Sequence, residues 1–161
     1  MEQVNKYFRA ERIECWLGIL IGLASLGLAI YFFTQHTSFD SGLAYTFLGA
    51  SVVQLIVCTI VVVRTPKDII RVQNFLETDK NKVRTEEIPR MGVVLKNFVI
   101  YRYAEIGLVI IGLALLLMTE KDTVWLGVGD GLIFNGALML TFDFFAERRG
   151  KVYINFLKSL I

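Results

Sequence analysis

Hydrophobic residues along the chain fall into four long blocks, and polar residues gather between them. The blocks run from Ile13 to Phe33, Gly42 to Val63, Phe98 to Met118 and Val124 to Phe145. Each is close to the ~20 residues with which an α-helix crosses a hydrocarbon core. Backbone polar groups in lipid must be satisfied within the segment, and none of the short alternating stretches of a barrel is present, so helices are expected. The pattern predicts an all-α integral membrane protein, a single four-helix domain over residues 1–161.

Lysine and arginine set the expected orientation. Thr34–Ser41 contains neither, and Thr119–Thr123 contains only Lys121. The connection over 64–97 carries Arg64, Lys67, Arg71, Lys80, Lys82, Arg84, Arg90 and Lys96, and the C-terminal segment carries Arg148, Arg149, Lys151 and Lys158. The positive-inside rule then places both termini and the 64–97 connection in the cytoplasm, with a bacterial inner membrane as the expected location. Basic and acidic residues mingle at the N-terminus, and the apolar run behind it is too long for a signal h-region, so a retained first helix is expected.

The 64–97 connection has structure of its own. Pro66 is expected to end the second helix. Ile69, Ile70, Val72, Phe75 and Leu76 then recur among charges at nearly helical spacing, predicting an amphipathic cytoplasmic segment that lies on the membrane surface or packs on the other helix ends. Thr85 and Pro89 suggest that the third helix starts near Glu86 and enters lipid later. Glu86-Glu87-Ile88-Pro89-Arg90-Met91 stands out as motif-like, although no activity attaches to it. In the tail, Val152, Tyr153, Phe156, Leu157 and Leu160 predict a second amphipathic segment, interrupted at Gly150.

A shift of about ninety residues brings the first hairpin onto the second. Lys6, Phe8 and Arg12 fall on Lys96, Phe98 and Arg102, and Ile21–Ala24 falls on Ile111–Ala114. At a slightly smaller shift Gly42, Phe47, Gly49 and Ala50 meet Gly129, Phe134, Gly136 and Ala137, and Asn74–Leu76 resembles Asn155–Leu157. This suggests two hairpin repeats, about 6–76 and 96–157. Both begin on the same side, so they are expected to be parallel in orientation.

Small residues mark where helices are expected to approach. Gly18, Gly22 and Ser25 share a face of the first helix, with a G-x-x-x-G pair; Gly42 and Gly49 lie on the second, Gly112 on the third, and Gly129 and Gly136 on the fourth. Four ionisable side chains, Glu14, Arg102, Glu105 and Asp143, project to one level near the cytoplasmic boundary. Arg12 joins them as the repeat counterpart of Arg102. Arg102 and Glu105 are three apart on a helix and are expected to pair; Asp143 and Glu14 are alternative partners for Arg102. An ion-pair layer explains the set, and a titratable cluster for protons, cations or a cationic substrate is the functional alternative. Gln54, Asp130 and Asn135 are the other polar residues at depth. Asp130 is expected to cap a helix start, or to stand at an unwound mouth.

Of 161 residues, 55% are hydrophobic and 20% charged, and mean hydropathy is +0.56, which fits polytopic membrane proteins. Cys15 and Cys58 have no C-x-x-C spacing and read as packing residues. With one histidine, His36, in a polar loop, neither a metal site nor bis-histidine haem is expected, and no cofactor is called for. Phosphate-binding loops, dinucleotide fingerprints and nucleophile elbows are absent, so an enzyme is not expected. The basic connection is diluted by acids and suits anionic lipid headgroups better than nucleic acid. The sequence leaves two functions open. One is a small proton- or cation-linked transporter or channel using the carboxylate layer. The other is a non-catalytic scaffold, accessory subunit or regulator whose loop and tail bind a partner. Either way the expected company is the bilayer, with a homo-oligomer or a membrane-protein partner. A cavity touching Glu14, Glu105 or Asp143 favours the first; full pairing of these groups favours the second.

Overall fold

The computed structural model describes residues 2–160 and consists almost wholly of four helices. They are α1 (Glu2–Thr34), α2 (Ser38–Thr78), α3 (Lys80–Met118) and α4 (Val124–Lys158). All four are long and apolar enough to cross a membrane. They alternate in direction, so α1 and α3 begin, and α2 and α4 finish, at one end, here called the head. Opposite the head, Gln35–Thr37 and Thr119–Thr123 turn the chain through His36 and Asp122, each with a positive φ. The hydroxyls of Thr37 and Thr123 cap α2 and α4 by accepting from the backbone N–H groups of Asp40 and Leu126.

Several expected boundaries are corrected. Pro66 does not end α2, which continues to Thr78. A helix-interior proline costs about 3 kcal/mol, but the extension beyond it seats Val72, with Ile69, Phe75 and Leu76 around it, in the main apolar cluster. The hydroxyl of Thr65 donates to the Val61 carbonyl at 2.6 Å, one turn back, beside the carbonyl left free by the missing proline N–H. The third helix starts at Lys80, not near Glu86. Its cap is Asp79, which accepts from the Asn81 N–H, while the Thr85 hydroxyl donates back to the Asn81 carbonyl. The helix widens into a π turn over Val83–Glu87, where Pro89 has no N–H to give Thr85 and the ladder must shift. Gly150 does not interrupt α4; it lets Leu95 of α3 approach. In the tail Tyr153 and Leu157 point inward as expected, Ile154 joins them, and Val152 and Leu160 are exposed. Asp130 is not a cap, because α4 has already begun at Val124.

Within the apolar stretches, glycine decides which helices meet. Gly18 and Gly22 of α1 lie against Gln54, Leu55 and Cys58 of α2. A Cβ on Gly42 of α2 would overlap the Val124 carbonyl oxygen of α4, and one on Gly127 would overlap that of Phe39. On the other side of α4, Gly129 lies against Gly112 of α3, and Gly136 against Glu105, Leu108 and Val109. The helices therefore neighbour in the order α1–α2–α4–α3, with α2 and α4 in the middle. The G-x-x-x-G face of α1 is used inside the chain, as is buried Ser25. Gly49 is not a packing glycine: it is exposed, with nothing within 4 Å of its would-be Cβ. Large apolar side chains such as Leu20, Ile30, Val53, Ile60, Ile110 and Phe134 point outward along the helices.

The densest core lies in the head. Val4, Phe8, Val72, Val83, Met91, Tyr153, Ile154 and Leu157 form one cluster to which all four helices contribute. The helix ends that flank the apolar blocks thus form a small four-helix body of their own.

Candidate functional site

Charged residues of the head are arranged around this cluster. Glu87, at the end of the π turn, is 1% exposed, and four hydrogen bonds reach its carboxylate. Arg90 donates from Nε at 2.9 Å to one oxygen and from Nη2 at 2.6 Å to the other. Arg71 of α2 donates at 3.3 Å and the Tyr153 hydroxyl of α4 at 3.2 Å. Arg71 also pairs with Asp68 at 3.0 Å, and Arg64 links Asp68 at 3.8 Å to Glu11 of α1 at 3.3 Å. One network therefore ties all four helices together. Helical spacing provides much of it: Arg64, Asp68 and Arg71 follow at i, i+4 and i+7, and Glu87 precedes Arg90 by three.

Tyr7 of α1 stacks on Tyr153 with centroids 4.2 Å apart, and Phe8 meets both rings edge-on. Burial pushes both tyrosine hydroxyls to titrate well above their ordinary range, with Glu11 adding to the effect at Tyr7 and Glu87 at Tyr153. Burial also raises Glu11 against the opposing pull of Arg64. Burial by itself would lower Arg90, but the hydrogen bonds and charge of Glu87 overcome it and hold the guanidinium above its usual range. Arg149 is lowered by burial. Its Nε, the Arg64 Nε and the Glu11 Oε2 are buried without a hydrogen-bond partner among the described residues.

Nearer the apolar stretches, the expected polar layer is only partly assembled. Glu14 is paired, but with Arg149 of α4. Arg102 pairs with Glu147 and not with Glu105, Asp143 or Glu14; Lys151 binds the second oxygen of Glu147 at 2.7 Å. The reason is direction. Helical side chains lean toward the N-terminus, so Arg102 extends toward the head and meets Glu147, one turn beyond Asp143. Glu105 sits one turn deeper, on the face of α3 that meets α4, with Asp143 as its neighbouring carboxyl. The Glu105 Oε2 is buried with no hydrogen-bond partner among the described residues. Arg12 does not belong to the layer: it is exposed and makes no ion pair among the described residues.

Of the other polar residues at depth, Asn135 is buried and donates to the Gly131 carbonyl of its own helix at 2.8 Å. Gln54 faces Gly18, and Asp130 is half-buried. Cys15 and Cys58 are both free thiols on the facing sides of α1 and α2, with the Cys58 Sγ directed at Gly18, one turn along from Cys15. No group of three or more His, Cys, Asp or Glu side chains suited to a metal ion occurs among the described residues.

The sequence did not single out Glu11, Asp68, Glu87, Glu147, Arg149, Tyr7 or Tyr153 as a set. The spacing within Arg64–Arg71 and within Glu87–Arg90 was the available signal. The inward turn of Glu87, which depends on the π turn, was not visible in any period. No protein-family profile matches the chain, and neither the curated proteins nor the solved structures yield a match.

Proposed function

We propose that this chain is a non-catalytic integral membrane protein, a scaffold or accessory subunit, that presents its rigid helical head to a partner on the cytoplasmic side. The observation that carries this reading is the Glu87 network. The bulkiest fully buried side chains, Phe8, Met91, Leu157 and Glu87, with Val4, Val72 and Val83, lie in the head, whereas the fully buried residues of the apolar blocks are the small Ala29, Ala44 and Ser51. A transporter needs its organised polar groups where the substrate crosses; here they are organised beyond the apolar blocks. Glu14, Arg102 and Glu147 are paired within the chain, which fits a dry bundle. The groove between α1 and α4 in the head and a second one along the start of α1 are lined by neither Glu105 nor Asp143.

A second reading rests on Glu105 and Asp143. Two neighbouring carboxyls inside an apolar stretch can share a proton, and such residues serve proton or cation movement in many membrane proteins. The parallel hairpin repeats proposed from the sequence suit either function, as does a homo-oligomer.

One pair of measurements tests the proposal. In proteoliposomes the chain should carry no proton or monovalent-cation flux. In native membranes a photo-reactive side chain at exposed Arg84 should cross-link to one discrete polypeptide, and Ser38→Cys and Thr78→Cys should label from opposite sides. A flux abolished by Glu105→Gln or Asp143→Asn in a folded protein would overturn the scaffold reading in favour of transport.

A further inference from the structure

The N-terminal part of α1 and the C-terminal part of α4 do not close completely against each other. Between them lies a groove of about 270 Å³, lined by Gln3, Lys6, Tyr7, Ala10, Phe145, Arg148, Arg149, Val152, Tyr153 and Phe156. Its composition is one-sided: three cations and no carboxylate. Arg149 is engaged by Glu14, but Lys6 and Arg148 are exposed and make no ion pair among the described residues. One wall is apolar. Phe145 closes the fourth apolar block, and Val152, 61% exposed, follows two turns on. The groove therefore straddles the level at which the apolar blocks give way to the head.

We infer that this groove is a binding site for an anionic phospholipid, with Lys6 and Arg148 on the phosphate and Phe145, Val152 and Phe156 along the start of an acyl chain. Charge and position select this occupant. Two unpaired cations beside an apolar wall at a membrane boundary suit a ligand that is anionic at one end and hydrocarbon at the other. The volume admits a phosphate and its glycerol, with the acyl chains left to run along the exposed side of α4. The stacked Tyr7 and Tyr153 rings form a rigid floor that needs no ordering on binding.

The inference rests on the helices lying in a bilayer, and the two can fail separately. Loss of the protein from alkali-washed membranes would refute insertion, whereas the groove is tested by selective lipid retention. The full chain in detergent, titrated with phosphatidylglycerol or phosphatidylcholine and read by native mass spectrometry, should retain one phosphatidylglycerol in preference to phosphatidylcholine. Lys6→Gln and Arg148→Gln should each weaken that retention about fivefold, and the double variant about twenty-five-fold, as expected for removing a basic residue from an anionic headgroup. Both residues are exposed, so folding should be kept. Lys80→Gln with Lys82→Gln, on another part of the head, should leave retention unchanged. Equal retention of both lipids, an equal loss from the Lys80 and Lys82 variant, or displacement by inorganic phosphate at lipid-equivalent concentration would overturn the inference.

Discussion

Glu87→Gln removes the charge at the centre of the head while keeping the size of the side chain. Glu87 is 1% exposed and accepts from Arg90 twice, from Arg71 and from Tyr153. Hydrogen bonds to a charged group contribute about 1.5–3 kcal/mol each, but bonds within one network do not add. Breaking one side of a buried ion pair costs about 3–5 kcal/mol. The arginines moderate this, because the Arg71 side chain is 40% exposed and that of Arg90 25%, so both can regain water. The glutamine amide can still accept from Tyr153, but its N–H₂ is turned toward a guanidinium. These effects place the loss near the lower bound, about 3 kcal/mol, which for a chain of this length is a fall in Tm of about 6–12 °C. Thermal unfolding in detergent, followed by circular dichroism, measures it. Exposed Glu86→Gln is the control and should stay within about 0.5 kcal/mol of the parent. A Glu87→Gln protein melting within a degree or so of the parent would refute the claim that this carboxylate holds the helices together.

Three further outcomes follow from the packing. Gly42→Ala should cost about 3 kcal/mol or more, because its methyl group meets α4 backbone; Gly22→Ala, facing a mobile Leu55 side chain, should cost about 1 kcal/mol, and Gly49→Ala should be neutral or slightly stabilising, all read as Tm in detergent. Burial holds Glu11 above the usual carboxylate range, so the folded state binds a proton more readily than the unfolded chain; its contribution therefore rises as pH falls from the raised value toward the ordinary one and weakens as pH climbs. Lowering the pH from neutrality toward the ordinary carboxylate range should accordingly favour the Tm of the parent over that of Glu11→Gln, and an equal change in both would count against the buried, raised carboxyl. Cys58 faces Gly18, one turn from Cys15, so mild oxidation with copper phenanthroline should join Cys15 to Cys58 within one chain, with loss of two free thiols and no dimer; persistent thiols would contradict the α1–α2 register.

How much of this was legible depends on the kind of signal. The four helices were visible because twenty apolar residues in a row have few other solutions. The small-residue positions were visible too, and Gly18, Gly22, Gly42, Gly112, Gly129 and Gly136 do lie at close contacts. Which helix each would meet was not, since a glycine states only that something approaches. Gly49 looked the same in the sequence and meets nothing. Pro66 misled for a different reason: local backbone preference argued for a helix end, and tertiary burial of Val72 and its neighbours outweighed it. The charged residues were the hardest. Counting rise per residue set Glu14, Arg102, Glu105 and Asp143 at one level, but pairing depends on the direction each side chain leans and on the register between antiparallel helices. A single turn separates Arg102 with Glu147 from Glu105 with Asp143.

The distribution of packing bears on function more directly than any single residue. Between helices in lipid the hydrophobic effect gives little, because hydrocarbon surrounds the helix whether or not it touches another. Association there relies on close backbone approach, which α1–α2, α2–α4 and α3–α4 achieve through glycine. The order α1–α2–α4–α3 leaves α1 and α3 apart over the apolar stretches. Under the membrane reading proposed above, the head stands in water, where the hydrophobic drive returns and Val4, Phe8, Val72, Met91 and Leu157 can be buried with real gain. Glu87, Arg71, Arg90 and Tyr153 then fix the angle between α2, α3 and α4 at the place where a soluble partner would meet them. A chain that moved a substrate by rocking its hairpins would need that junction to give way. A chain that holds a surface in a fixed orientation needs it stiff, and a buried carboxylate with four donors from three helices is a stiff junction.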